Sequence, residues 1–203
     1  AERLNNLIHE LIEFRRIETG NREVRVESLN VSSIVKGIAK TFVEMAKSRN
    51  ITFLSKIPEQ VMWNSDKGFL NTIIINLISN AFKYTPDGQS IKIEVDTSRE
   101  NMLALRVANE GSTIKEKDFQ YIFNRYAILD NFENQDEKNF SRNGLGLAIS
   151  YNMAKLLNGT LKVENTPDGW VMFTLTLPVV KLTTGVSETK RLTAEYIPKI
   201  DTQ

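Results

Sequence analysis

Residues 66–83 constrain the fold more than any other part of this 203-residue chain. They read as one helix, apolar over most of its circumference and carrying the run Ile73-Ile74-Ile75. A helix of that kind has to be covered by other elements. It is not a bilayer span, because no apolar run in the chain approaches the roughly 18 residues that a crossing needs. Its polar residues are placed rather than scattered. Asn76, Asn80, Lys83 and Tyr84 fall at i, i+4, i+7 and i+8, which puts them on one face.

The covering elements are legible as alternation. Ile91, Ile93 and Val95, then Leu103, Leu105 and Val107, predict two half-buried strands of one sheet after the turn Pro86-Asp87-Gly88. Residues 161–164 and 171–177 predict a hairpin over Pro167-Asp168-Gly169. Val24, Val26 and Leu29 suggest a short strand, and residues 51–54 and 61–63 two more around a turn at Pro58. A helix capped by Asn30 or Ser32 runs to about Arg49, a short one covers 115–126, and another covers 144–158. The sum is an α/β (α+β) sandwich, a mixed sheet with helices on one face. Residues 127–143 are polar and patternless, as in a functional lid or a disordered loop.

Both ends differ from this body. Leu4, Leu7, Leu11 and Phe14 stripe a helix over 2–19 that Gly20 and Asn21 end. It is suited to pairing with other helices. The chain starts at Ala1 inside that pattern, as expected for a piece of a longer protein. The expected division is therefore 1–20, a helix belonging to something else, 21–180, the main domain, and 181–203, a linker or tail.

Composition narrows the chemistry. The chain has no cysteine and one histidine, His9, so disulfides, thiolate nucleophiles, iron–sulfur clusters and multi-histidine metal sites are excluded. A metal held by this chain is expected to be a hard cation on oxygen ligands, with Mg²⁺ first. A net charge of +1 gives no electrostatic case for nucleic acid.

Three segments carry candidate chemistry. The face Asn76, Asn80, Lys83, Tyr84 offers amide oxygens for a hard cation or phosphate, a positive charge and a ring that stacks on a base; the alternative is a solvated helix end. Asn109-Glu110-Gly111-Ser112-Thr113-Ile114 follows a strand, and its glycine admits close approach to the backbone; the alternative is an ordinary turn. Gly144-Leu145-Gly146 opens a helix and so exposes N–H groups to phosphate.

In this order, the segments NLISNAFKYTP, VANEGSTI, IFNRY and NGLGLAI resemble the asparagine, first glycine, phenylalanine and second glycine boxes of sensor histidine kinases, members of the Bergerat-fold ATPase superfamily. The resemblance covers residues 30–178 or so, and residues 4–20 resemble the second helix of the family's dimerisation and phosphoacceptor hairpin. It implies ATP and Mg²⁺ as ligands, with Asn80 on the metal and Asn76 assisting at the phosphates. Lys83 would face phosphate and Tyr84 would lie against adenine. Asn109, Gly111 and Ile114 belong to the base-reading box. Phe123, Arg125 and Tyr126 match the phenylalanine box, with Arg125 a candidate for the γ-phosphate charge. Gly144, Leu145 and Gly146 match the second glycine box, and Gly169 and Phe173 hint at a third.

The departures shape the expectation. Asn109 stands where the family has Asp, which keeps an acceptor for the adenine amino group and loses its charge. Thr113 replaces a glycine, and Arg142-Asn143 replace Gly-Thr, so that Arg142 is a further candidate for phosphate. Asn76 stands where ATP-hydrolysing members carry a water-activating glutamate, which favours a kinase over a hydrolase. His9-Glu10 lacks the polar residue and the proline that follow the family's acceptor histidine; Glu13 and Phe14 stand there instead. The acceptor is therefore expected on an upstream helix. The implied whole is a dimeric sensor kinase, cytoplasmic in this part and membrane-bound elsewhere, passing phosphate to a response-regulator or receiver domain. A non-catalytic interaction module with weak nucleotide binding is the alternative.

Overall fold

The computed structural model describes residues 23–124, 127 and 144–181, together with Ile12 and Arg15, which are helical. The helix expected over 2–19, the loop 128–143 and the tail beyond 181 otherwise lie outside the described residues, as do His9, Arg125, Tyr126, Arg142 and Asn143.

The covering sheet predicted for the apolar helix is five-stranded. Its order is β2 (Thr52–Lys56), β4 (Ser90–Asp96), β5 (Met102–Glu110), β7 (Trp170–Pro178) and β6 (Thr160–Asn165). Only β2 and β4 run parallel; the other pairs are antiparallel, so the sheet is mixed. The two predicted hairpin strands pair with each other, Leu161 against Leu175 and Val163 against Phe173. Alternation then assigns the two faces. Ile91, Ile93, Val95, Leu103, Leu105, Val107, Leu175 and Leu177 are buried against helices, and their strand neighbours, Ala108 excepted, are more exposed.

The helices lie on that inner face. Helix α3 (Lys67–Tyr84) buries Phe69, Leu70, Ile73, Ile74, Leu77, Ile78, Ala81 and Phe82. Its start is legible, since the Asp66 carboxylate accepts the Phe69 N–H at 2.9 Å and caps the first turn. Helix α4 (Gly146–Leu156) packs beside it, and α1 (Val31–Thr41) covers its other flank. The Asn30 side chain caps α1 by accepting the Ser33 N–H at 3.1 Å.

Three local expectations need correcting. The helix expected to reach Arg49 is broken at Phe42 into α1 and α2 (Val43–Ser48). Phe42 keeps helical dihedrals, but its N–H turns back to the Ala39 carbonyl at 3.0 Å and its ring stacks on Phe82 at 5.3 Å. The strands flanking Pro58 form no hairpin. The second, β3 (Met62–Asp66), pairs instead with β1 (Val26–Asn30) in a separate two-stranded sheet. The helix expected over 115–126 is, in its described part through Asn124, two single 3₁₀ turns, Glu116–Asp118 and Tyr121–Phe123.

The solvent face of the sheet carries opposed charges. Glu94 lies directly opposite Lys56 on one side and Arg106 on the other, and Lys56 Nζ reaches Glu94 at 2.9 Å. Arg106 also donates to Asp96 at 3.1 Å. The Ser98 backbone N–H, at 2.8 Å, its hydroxyl and then Arg106 hold the Asp96 carboxyl at about 2, below its ordinary 3.8. A depressed carboxylate stabilises the fold above its unfolded value and loses that contribution as pH falls through its folded one. Thermal melts of the chain and of Asp96→Asn should therefore differ most above pH 4 or so and converge towards pH 2.

Candidate functional site

The polar face of α3 keeps its predicted composition, and its members have separate tasks. Asn76 Nδ2 donates to the Gly146 carbonyl and to Ser150 Oγ, each at 3.0 Å. Both amide hydrogens are thereby used to clamp α4 onto α3, which leaves only Oδ1 for another partner. A Cβ on Gly146 would stand 3.4 Å from Asn76 Cγ, in ordinary van der Waals contact. Asn80, one turn later and half-buried, makes no side-chain hydrogen bond among the described residues. Lys83 is half-buried with Nζ 4.9 Å from the Tyr84 ring centroid.

The clamp brings the start of α4 to the same place. Gly144 has φ +61°, a turn that glycine makes without strain, and Leu145 is fully buried as an anchor. No side chain among the described residues caps α4, so the N–H groups of its first turn and the positive end of its dipole can receive an anion. The second glycine segment and the polar face of α3 thus meet, as their spacing alone could not show.

The first glycine segment closes the other end. Asn109 is 3% exposed, on the inner face of β5 between Ile91 and Val171. Its Nδ2 donates to Ser112 Oγ at 2.7 Å. Gly111 has φ +81°, and a Cβ there would lie 2.8 Å from Pro86 Cδ, so the loop is seated on the turn that follows α3. Asn109 is therefore brought to the Lys83–Tyr84 end of the helix. Ile114 is buried in the core, and its backbone N–H and carbonyl bond Asn165 at 3.1 and 2.7 Å. Phe123 packs on Tyr151 at 5.1 Å and edge-on to Phe173 at 6.4 Å. These two residues fix the loop and the 3₁₀ turn to the domain. Arg125 and Arg142 lie outside the described residues.

One organising residue escapes sequence reasoning. Arg49, at the end of α2, donates to the Phe82 carbonyl, to the Thr85 carbonyl at 2.6 Å and to Asp87 Oδ1 at 2.7 Å. It thus satisfies carbonyls at the C-terminus of α3 and opposes the negative end of its dipole. No local signal marks it, because its partners lie 33 to 38 residues away. Replacing it by Met should cost about 1–3 kcal/mol, the scale of partly buried acceptors left without a donor. Urea unfolding would register this as a lower midpoint at unchanged slope.

The donor set suits a hard cation only in part. Among the described residues no group of three His, Cys, Asp or Glu is gathered to hold a metal. The Asn80 amide oxygen, without a hydrogen bond among the described residues, fits Mg²⁺ as a single protein ligand, with water and phosphate oxygens completing the shell.

Residues 65–181 match the family of histidine kinase-, DNA gyrase B- and HSP90-like ATPases. The chain belongs to this ATPase family. Among curated proteins this ATPase chain is 30% identical over 181 residues to histidine kinase P4 of Formosa agariphila, covering 88% of the chain and 13% of that protein. It is 26% identical over 180 residues to sensor histidine kinase WalK of Bacillus subtilis, covering 88% and 29%. The chain therefore spans less than a third of either relative's length. Its fold is that of histidine kinases of known structure. Full-length ShkA in complex with AMPPNP superimposes with a TM-score of 0.72 at 18% identity, over 88% of this chain and 36% of that one. The Acinetobacter baumannii histidine kinase AdeS does so with a TM-score of 0.69 at 20% identity, over 89% and 80%. The mixed sheet with helices on one face is thus the Bergerat type that the sequence resemblance implied.

Proposed function

We propose that this ATPase domain binds Mg·ATP along the polar face of α3 and passes the γ-phosphoryl group to a histidine outside residues 23–181. The observation that carries this is the Asn76 clamp, which sets the start of α4 against α3 one turn before Asn80, whose side chain has no hydrogen bond among the described residues. Phosphate oxygens are then received by helix N–H groups, with Lys83, two turns beyond Asn76 on the same face of α3, adding positive charge. Asn109 and Tyr84 serve the base at the other end. A Mg²⁺ ion on Asn80 would neutralise charge developing on the phosphates.

The residues here hold the nucleotide and supply no nucleophile. Asn76 is a carboxamide with its hydrogens engaged and cannot take a proton from water. The γ-phosphorus therefore awaits an imidazole nitrogen: an N–P bond forms, the bond to the β-phosphate oxygen breaks, and ADP leaves. Positioning and charge stabilisation account for the catalysis. In the whole protein, two such chains would pair through the helices that include residues 2–19, and phosphate would pass on to a receiver domain. The sensor-kinase names of the relatives support that setting. No helix among the described residues is itself long and apolar enough to cross one.

A longer form that includes the upstream helix, incubated with γ-labelled ATP and Mg²⁺, should gain acid-labile, base-stable label. The same form with Asn80→Ala should gain none. Absence of label in the unaltered longer form contradicts phosphotransfer to histidine.

A further inference from the structure

Asn109 is the one buried carboxamide on the inner face of the sheet among the described residues, and its neighbours leave its orientation open. Its cross-strand neighbours are Ile91 and Val171, which present no polar side-chain group to it. Its side chain has one hydrogen-bond partner among the described residues, the Ser112 hydroxyl at 2.7 Å. A hydroxyl accepts from an N–H and equally donates to a carbonyl oxygen. Rotating the Asn109 amide by half a turn therefore exchanges one hydrogen bond to Ser112 for another. The group turned away from Ser112 is a carbonyl oxygen in one orientation and an N–H in the other.

From this pair we infer that the site reads position 6 of a purine without choosing between an amino and a keto group. This rests on the nucleotide reading above, and it names the substrate class of that site more broadly as purine nucleoside triphosphates. In one orientation the Asn109 carbonyl accepts from an adenine amino group. In the other the Asn109 N–H donates to the 6-oxygen of hypoxanthine or guanine. A carboxylate at this position accepts in every orientation and so repels a keto oxygen. Sites that bond a specific substrate group reject the analogue lacking it far more strongly than apolar sites do.

The test compares ATP with ITP, which differ at this edge of the ring and lack the extra amino group of guanine. Each competes, with Mg²⁺, against a ribose-tagged fluorescent ATP analogue on the unaltered chain and on Asn109→Asp. The unaltered chain should bind ITP within about fivefold of ATP, and Asn109→Asp should widen the gap to about thirtyfold or more, the scale of a charged hydrogen bond lost. An unaltered chain that already prefers ATP by that larger factor overturns the proposal, whatever the variant does. So does a gap that is the same in both forms. If Asn109→Asp does not fold, the ratio in the unaltered chain decides alone. Loss of all nucleotide binding in a folded, unaltered chain overturns the nucleotide reading itself, and the selectivity with it.

Discussion

Gly159→Ala unfolds the domain or leaves it barely stable. Gly159 follows α4 and starts the return into β6, where its N–H donates to the Ala154 carbonyl at 2.8 Å. A Cβ there would press into the backbone carbonyl oxygen of Thr176 and stand 2.7 Å from Leu177 Cδ2. Both belong to β7, a strand paired on both sides and unable to retreat. Overpacking of this kind costs about 3 kcal/mol or more when backbone must move. That is a large share of the about 5–15 kcal/mol that holds a domain together. Two other glycines serve as controls. Gly88 has φ +82° and open space around its Cβ, so Gly88→Ala should cost only the conformational strain, about 1–2 kcal/mol. Gly37, in α1, also has open space, and Gly37→Ala should stabilise by about 0.5–1 kcal/mol through the unfolded state. Thermal melts of the three variants should fall in that order. A melt of Gly159→Ala within a few degrees of the unaltered chain contradicts the close approach of this turn to β7.

Asn80→Ala has the opposite profile, a large loss of ligand binding without a loss of fold. The Asn80 side chain makes no hydrogen bond among the described residues and is half-buried, so its truncation should move stability by no more than about 0.5 kcal/mol. Its oxygen is the metal ligand in the proposed site, and losing it should weaken Mg·ATP on the order of 100-fold, equivalent to about 3 kcal/mol. Asn76→Ala separates the two roles one turn apart. It removes both bonds of the clamp to Gly146 and Ser150, and should lower the urea midpoint as well as the affinity. Melting curves with and without Mg·ATP read both effects, since ligand binding to the native state raises the midpoint by mass action. A ligand-induced rise that survives in Asn80→Ala contradicts the assignment of the metal to this residue.

What the sequence revealed and what it hid divide along physical lines. Period-two alternation carries the strands, and Pro167-Asp168-Gly169 the β6–β7 hairpin, because alternation and turn type are local properties. Asp66 marks the start of α3 because a cap bonds only three residues away. The break at Phe42 is hidden, since the apolar stripe runs through it and the residue keeps helical dihedrals; only the stacking on Phe82 shows what the break serves. The partners of β2 and β3 are hidden because two short apolar runs say nothing about which strand they will pair with. At the site, spacing placed Asn76 and Asn80 on one face but could not separate their tasks. That separation depends on α4, 70 residues later. Arg49 stayed invisible for the same reason.

The most direct measurement is a calorimetric titration of this chain with a non-hydrolysable ATP analogue, with and without Mg²⁺. The account predicts one saturable site per chain, strengthened by Mg²⁺ and lost in a folded Asn80→Ala variant. No heat and no melting shift at millimolar nucleotide would contradict it, and would leave the domain as a module that docks partners through its helices.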